Sequence, residues 1–206
     1  MPLVVAMKGK EKTYLFADNC QYVGGSVLVK EAPRQFCLQR FKNFVIGYYG
    51  SSTYFFKLAT SFDFDSFPEP LTKGYLMRNF YGKFLDFLVK ETKCTFDNNG
   101  ITNSDFSIMI LGKDYAFDIG VEYLYEVRNI NACGDDRLAF NMHIALKDKM
   151  PEEELVKVIM EKSAKYSYRT SYPFIMVDNT DLDHYIIVNK DGSKKKEKFI
   201  QYWGKK

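Results

Sequence analysis

Leu3-Val4-Val5-Ala6-Met7 and Thr13-Tyr14-Leu15-Phe16-Ala17 stand on either side of Lys8-Gly9-Lys10-Glu11-Lys12. Two short β-prone runs around a polar spacer read as a hairpin whose turn faces water. The chain therefore begins inside a sheet. Further strands are predicted past Gly24-Gly25 at residues 26–29, and past Pro33 at 35–40 and 44–49, each rich in β-branched or aromatic residues.

The period then changes. Tyr54, Phe55, Leu58, Ala59 and Phe62 recur at helical spacing behind a Ser51/Ser52 cap, which predicts a first helix. Pro68 and Pro70 break it, and the stripe Leu76, Met77, Phe80, Tyr81, Phe84, Leu85, Phe87 and Leu88 predicts a second. Aromatics at such spacing are read as a helix packing on a sheet and not as a cofactor slot. Asp97-Asn98-Asn99-Gly100 is a turn, followed by strands at 106–111 and 121–129, the latter alternating through Val121, Tyr123, Tyr125 and Val127. A third helix follows Gly134-Asp135-Asp136, with Leu138, Ala139, Met142 and Leu146 as its buried stripe. A fourth opens at Pro151, with Glu152, Glu153 and Glu154 in its first turn. Closing strands are expected at 174–177, 185–189 and 198–203, around the turn Lys190-Asp191-Gly192.

Strands, two helices, strands, two helices and strands do not alternate as a doubly wound sheet requires. The order predicts an α+β fold, a four-layer αββα sandwich in which each helix pair covers one sheet. Its 206 residues, 46% of them hydrophobic, are expected to form one domain over 1–206.

Lys and Arg exceed Asp and Glu by 29 − 26 = 3, too even a balance for a nucleic-acid or membrane surface. Lys194, Lys195 and Lys196 read as a solvated hairpin tip. Cys20, Cys37, Cys94 and Cys133 are too scattered for a zinc or dithiol motif and are expected to be structural thiols. No apolar run approaches the roughly 20 residues of a membrane span, and Lys8, Lys10 and Lys12 follow the first apolar run where a secretory signal would place them before it. A cytoplasmic location is expected. His143 and His184 lie too far apart for a metal pair. Asp178, Asp181 and Asp183 lack the glycine and terminal glutamate of a calcium loop and read as a polar turn. Gly24-Gly25 lacks the Lys-Ser or Lys-Thr of a phosphate loop, so no cofactor is expected.

The element order, together with Phe16-Ala17-Asp18-Asn19, the junction 45–51 and Ala132-Cys133-Gly134-Asp135-Asp136, resembles the proteasome β-subunit family and its bacterial relative, the peptidase partner of an ATP-dependent unfoldase. The resemblance covers most of the chain and rests on order and spacing. It implies an N-terminal-nucleophile hydrolase, in which the side chain of an N-terminal Thr attacks a scissile carbonyl and its free amine acts as base. It also implies a homo-oligomer, assembled through its helices, and an unfoldase or other protein partner. The family's supporting Asp matches Asp18. Counting back without gaps puts Pro2, which has neither hydroxyl nor thiol, at the nucleophile position once Met1 is removed. The family's Lys falls on Arg34, with Lys30 the nearest lysine; arginine does not readily shuttle a proton. The family's Gly-Ser-Gly becomes Ala132-Cys133-Gly134, and no Asp stands in 164–170. Pro2, Asp18 and Arg34 are thus the expected site of a degenerate subunit that has lost the threonine-peptidase mechanism.

Two other readings stay open. An active hydrolase would need another nucleophile: Thr13 would sever the first strand, whereas Cys20 and Cys133 lie near the expected site. Alternatively a free Pro2 amine acts as base or nucleophile, as in the tautomerases, whose start Pro2-Leu3-Val4-Val5 resembles over a few residues.

Overall fold

The computed structural model describes residues 3–18, 21–23, 26–28, 37–97, 100–134, 136–167 and 170–200. Pro2, Cys20, Gly24, Gly25, Lys30, Arg34, Asn98, Asn99, Asp135 and the predicted strand end at 201–203 lie outside the described residues. The chain opens with β1 (Val4–Lys8), β2 (Thr13–Asp18), β3 (Gln21–Val23), β4 (Ser26–Leu28), β5 (Leu38–Arg40) and β6 (Phe44–Tyr49). Helices α1 (Ser52–Ser61), α2 (Lys73–Leu76) and α3 (Gly82–Glu91) follow, the last two joined by a π-helical turn, Met77–Tyr81. Next come β7 (Cys94–Asp97), β8 (Gly100–Ser104), β9 (Ser107–Gly112), β10 (Ala116–Ile119), β11 (Leu124–Glu126) and β12 (Ile130–Cys133). Helices α4 (Asp136–Leu146) and α5 (Glu152–Tyr166) precede β13 (Phe174–Asp178), β14 (His184–Val188) and β15 (Lys194–Lys198).

Two antiparallel sheets carry the fold. The first runs β12-β1-β2-β13-β14-β15 and the second β11-β10-β9-β6-β5, with β3-β4 and β7-β8 as separate hairpins. Side chains of a strand alternate between faces, so a strand covered on both sides must be apolar throughout. This explains the unbroken run at the start of the chain. Val4 and Ala6 enter the core between the sheets with Leu15, Ala17, Val45, Met109, Leu111, Ile175 and Val177. Their neighbours Leu3, Val5, Met7, Tyr14 and Phe16 face the other way, against Leu155, Val156, Ile159 and Met160 of α5. The second sheet repeats the pattern, with Phe44, Ile46, Tyr48, Ile108 and Ile110 packed under α1–α3. The layers are therefore helix, sheet, sheet, helix.

Most of the helix stripes are core, as their spacing predicts, although Met77 is exposed and Val156, not Val158, is buried on α5. Ser51 caps α1 by accepting from the Thr53 N–H, and Phe55 stacks on Tyr48 at 4.4 Å between ring centroids. Phe80, Phe84, Phe87 and Leu88 are buried beside them, and Phe80 stacks on Phe84. The two sheets meet tightly at Gly47, where a Cβ would lie 2.9 Å from Val4 Cγ1 and 3.1 Å from Leu38 Cδ2. Gly47→Val is expected to cost about 1–3 kcal/mol by overpacking, read as a lower urea midpoint.

Three expectations are corrected. No single strand spans 121–129, because Val121 and Glu122 form a two-residue turn between β10 and β11. The chain then crosses to the first sheet, with Val127 buried, before β12. The same geometry recurs at 112–115: each glycine donates its N–H to the tyrosine carbonyl three residues on, at 2.9 Å, and the tyrosine ring lies where a glycine Cβ would be. A Gly-x-x-Tyr hairpin is thus built twice, and its alternation mimics a longer strand. Second, the closing strand is Lys194–Lys198, starting directly after the turn in which Gly192 sits at φ +81° and donates to the Asn189 carbonyl. The lysine run is not a hairpin tip; it blunts an edge strand with charge. Third, β7 and β8 pair as a hairpin before β9, and neither is expected from the sequence.

Candidate functional site

The leading end of β1 is held by a carboxylate. Register pairs Val4 with Ala17 on β2 and with Cys133 on β12. One step further, the Leu3 N–H donates to Asp18 Oδ1 at 2.6 Å, and the Asp18 N–H donates to the Leu3 carbonyl at 3.1 Å. Asp18 Oδ2 accepts from the Ser171 N–H at 3.2 Å, in the loop before β13. The Asp18 side chain is fully buried. It ties the head of β1 to β2 and to the approach to β13, where Ser167 and Thr170 add further buried hydroxyls. Pro2 and Arg34 lie outside the described residues, so Asp18 is the member of the expected site that has a geometry here.

Beside this strand end a cavity of about 280 Å³ opens where the two sheets diverge. Tyr49 from the end of β6, Phe106 and Ser107 at the start of β9, Tyr123 before β11, and Cys133 and Gly134 from β12 line it. Beneath Cys133 lies Asp118 of β10, 4% exposed. Its Oδ2 accepts from Asn131 Nδ2 at 2.9 Å, and its Oδ1 lies 4.0 Å from the Cys133 thiol, which donates to it. The Ser107 hydroxyl donates to Cys133 Sγ at 3.2 Å, joining strands of opposite sheets. Burial pushes the Asp118 carboxyl up to about 6, against the opposing pull of hydrogen bonds from Asn131 and Tyr123. Burial likewise pushes the Tyr123 phenol up, with the neighbouring Cys133 and Asp118 adding to the effect. The Tyr123 ring takes this place because Gly120 leaves it room: a Cβ there would stand 2.5 Å from Cζ.

Sequence reading points to Cys133 but misses Asp118, Ser107 and Tyr123, which belong to different strands. The nearest signal is an acidic residue inside the apolar run Ala116-Phe117-Asp118-Ile119. Because the folded state keeps this carboxyl protonated above the unfolded value of about 4, it binds more protons than the unfolded chain between about pH 4 and 6. Stability from this group is present at the acid end and lost as pH rises through about 6. Paired urea titrations should show the wild type losing about 3 kcal/mol relative to Asp118→Asn between about pH 4 and 8. A parallel pH course for the two proteins would contradict the burial of Asp118.

The remaining polar candidates are engaged elsewhere. His143 is buried on α4, where burial and Lys147 lower its pKa. His184 Nδ1 pairs with Asp181 at 3.0 Å, and Lys196 joins them at 2.7 Å, which together hold the Asp181 carboxyl near 2. Asp178 pairs with Lys12 and Asp183 with Arg40. Among the described residues no three metal-ligating side chains converge, and no helix is long and apolar enough to cross a membrane.

Two face-to-face antiparallel sheets between helix layers, with the first strand entering beside a buried Asp, define the proteasome-type N-terminal-nucleophile hydrolase fold. Solved structures share it. BPH from Thiobacillus denitrificans matches at a TM-score of 0.67 and 17% identity, over 85% of this chain and 96% of that one; a second BPH structure is a complex with epoxomicin. Eukaryotic HslV from Trypanosoma brucei matches at 0.60 and 13%, over 85% and 98%. Anbu, an ancestral β-subunit from Yersinia bercovieri, matches at 0.63 and 10%, over 92% and 88%. No protein-family model and no curated protein sequence matches the chain.

Proposed function

We propose that the chain is a proteasome-fold subunit, one domain over 1–206, that lacks threonine-peptidase chemistry and acts by self-association or by binding a protein partner such as an unfoldase. The observation that carries this is the 2.6 Å bond from the Leu3 N–H to Asp18. It fixes the register of β1 against the Asp that matches the family's, and the residue preceding Leu3 in sequence is a proline. A proline supplies no hydroxyl or thiol for attack. Arg34 in place of the family's Lys supports the same reading, since a guanidinium does not release its proton at neutral pH.

Assembly through the helix layers is supported by apolar side chains left in water there: Ile144 on α4 is 69% exposed and Tyr166 at the end of α5 is 64% exposed, with Phe56 on α1 and Val89 on α3 also exposed. A cytoplasmic location is part of the proposal, supported by Cys37, Cys94 and Cys133 standing outside disulfides.

Light scattering of the purified protein is expected to give a multiple of the chain mass, with no hydrolysis of fluorogenic peptides and no mass gain at the N-terminal residue after incubation with epoxomicin. A strict monomer across concentrations, or a mature chain that begins at an internal Thr, Ser or Cys and takes up the inhibitor, would overturn it.

A further inference from the structure

The cavity beside β1 holds a second set of reactive groups that the N-terminal chemistry does not use. We propose that Cys133 is an acyl-accepting thiol with Asp118 as its proton acceptor, and that the cavity admits the acyl group of a small ester or thioester. Cys133 lines the cavity, and its thiol donates to the Asp118 carboxylate 4.0 Å away, which does not line the cavity and is shielded from water. In this proposal an electrophile in the cavity meets the thiol at the wall that Cys133 forms, while the base stands behind it. This is the arrangement nucleophilic catalysis requires.

The surroundings suit the step. Ser107 donates to the sulfur at 3.2 Å, which holds it in place and favours the thiolate over the thiol. Asn131 fixes the other oxygen of Asp118 at 2.9 Å, which leaves Oδ1 turned to the thiol. Tyr49, Phe106 and Val121 give the cavity an apolar part for a short acyl chain, and Asn103, Ser104 and Glu122 give it a polar part for the carbonyl and leaving group. In the reaction, Sγ forms a bond to the acyl carbon and the bond from that carbon to the leaving oxygen or sulfur breaks. The thiol proton passes to Asp118, the departing alkoxide or thiolate takes a proton from water in the cavity, and release of the Asp118 proton to the hydroxide so formed restores the carboxylate. No oxidant or other co-reactant is needed.

The neighbouring Cys94, partly exposed and hydrogen-bonded to Thr92 and the Leu88 carbonyl, has no carboxylate beside its sulfur among its recorded partners and serves as an internal control. With p-nitrophenyl acetate at about pH 8, peptide mapping of the full chain should find acetyl on Cys133 sooner than on Cys94, despite the deeper burial of Cys133. Asp118→Asn should slow acetylation of Cys133 by about 100-fold and leave Cys94 unchanged. Urea denaturation of that variant at the same pH, read beside the acetylation rate, separates a loss of the base from unfolding. Acetylation of Cys94 first, no acetyl on Cys133, or an Asp118→Asn rate equal to wild type would each overturn the proposal. None of these results depends on the assembly state or on the N-terminal residue, so the proposed function stands or falls separately.

Discussion

Asp18→Ala is expected to lower the unfolding free energy by about 2–4 kcal/mol, because it strands the buried Leu3 N–H at about 1–3 kcal/mol and removes the half-buried Ser171 bond at about 1 kcal/mol. The donors are those of Leu3 and Ser171, bonded at 2.6 and 3.2 Å. Water does not readily replace the acceptor lost at Leu3, which is 1% exposed, whereas the half-buried Ser171 N–H can be solvated. Asp18→Asn keeps an acceptor for Leu3 and turns an NH2 group toward Ser171, so its loss should be about half as large. Urea denaturation of the two variants checks the ranking. Equal losses would mean that the Leu3 bond contributes nothing. The consequence for function is positional. In the alanine variant the first strand loses the tie that sets where the chain's leading residues enter the fold, and hydrogen exchange at Leu3 should rise well before the β1-β2 ladder opens.

Gly50→Ala is expected to cost about as much, for a different reason. Gly50 sits at φ +117°, outside the regions an L-residue adopts readily, and a Cβ built there lies 2.5 Å from the Asp105 carbonyl oxygen and 2.9 Å from the Phe106 ring. Backbone strain of about 1–3 kcal/mol adds to an overpacking cost of about 1–3 kcal/mol against a carbonyl that cannot rotate away. The expected total is about 2–6 kcal/mol, read as a fall in urea midpoint. The change also bears on the site. Gly50 connects β6 to α1 next to Tyr49, and the atoms it would push belong to the segment carrying Phe106 and Ser107 into the cavity wall. Acetylation of Cys133 in this variant should therefore slow even at temperatures where the protein remains folded. Gly50→Ala with wild-type stability would contradict the close approach of the two loops.

Much of the architecture is legible in the chain because burial on both faces of a strand writes an unbroken apolar run. Residues 3–7 and 106–111 show it. The helices are legible because Phe55, Leu58, Phe80, Phe84 and Phe87 repeat at 3–4 residues. The errors fall where local pattern and tertiary contact disagree. At 121–129 the alternation of Val121, Tyr123, Tyr125 and Val127 looks like one strand, yet the Tyr123 ring folds onto Gly120 and closes a turn. At 194–198 the lysines look like a loop, yet pairing with β14 makes them an edge strand, steadied by Lys195–Glu197 and Lys196–Asp181 contacts.

The amino-acid sequence by itself determined the order of elements, the two-faced burial of the first hairpin and the place of Asp18 at its end, because each depends on residues close together in the chain. Only the tertiary structure decided that Cys133, Ser107 and Tyr123 share one cavity wall with Asp118 beneath it. These four stand on separate strands and turns of two sheets, and what brings them within bonding distance is the packing of one sheet on the other, which no local spacing records.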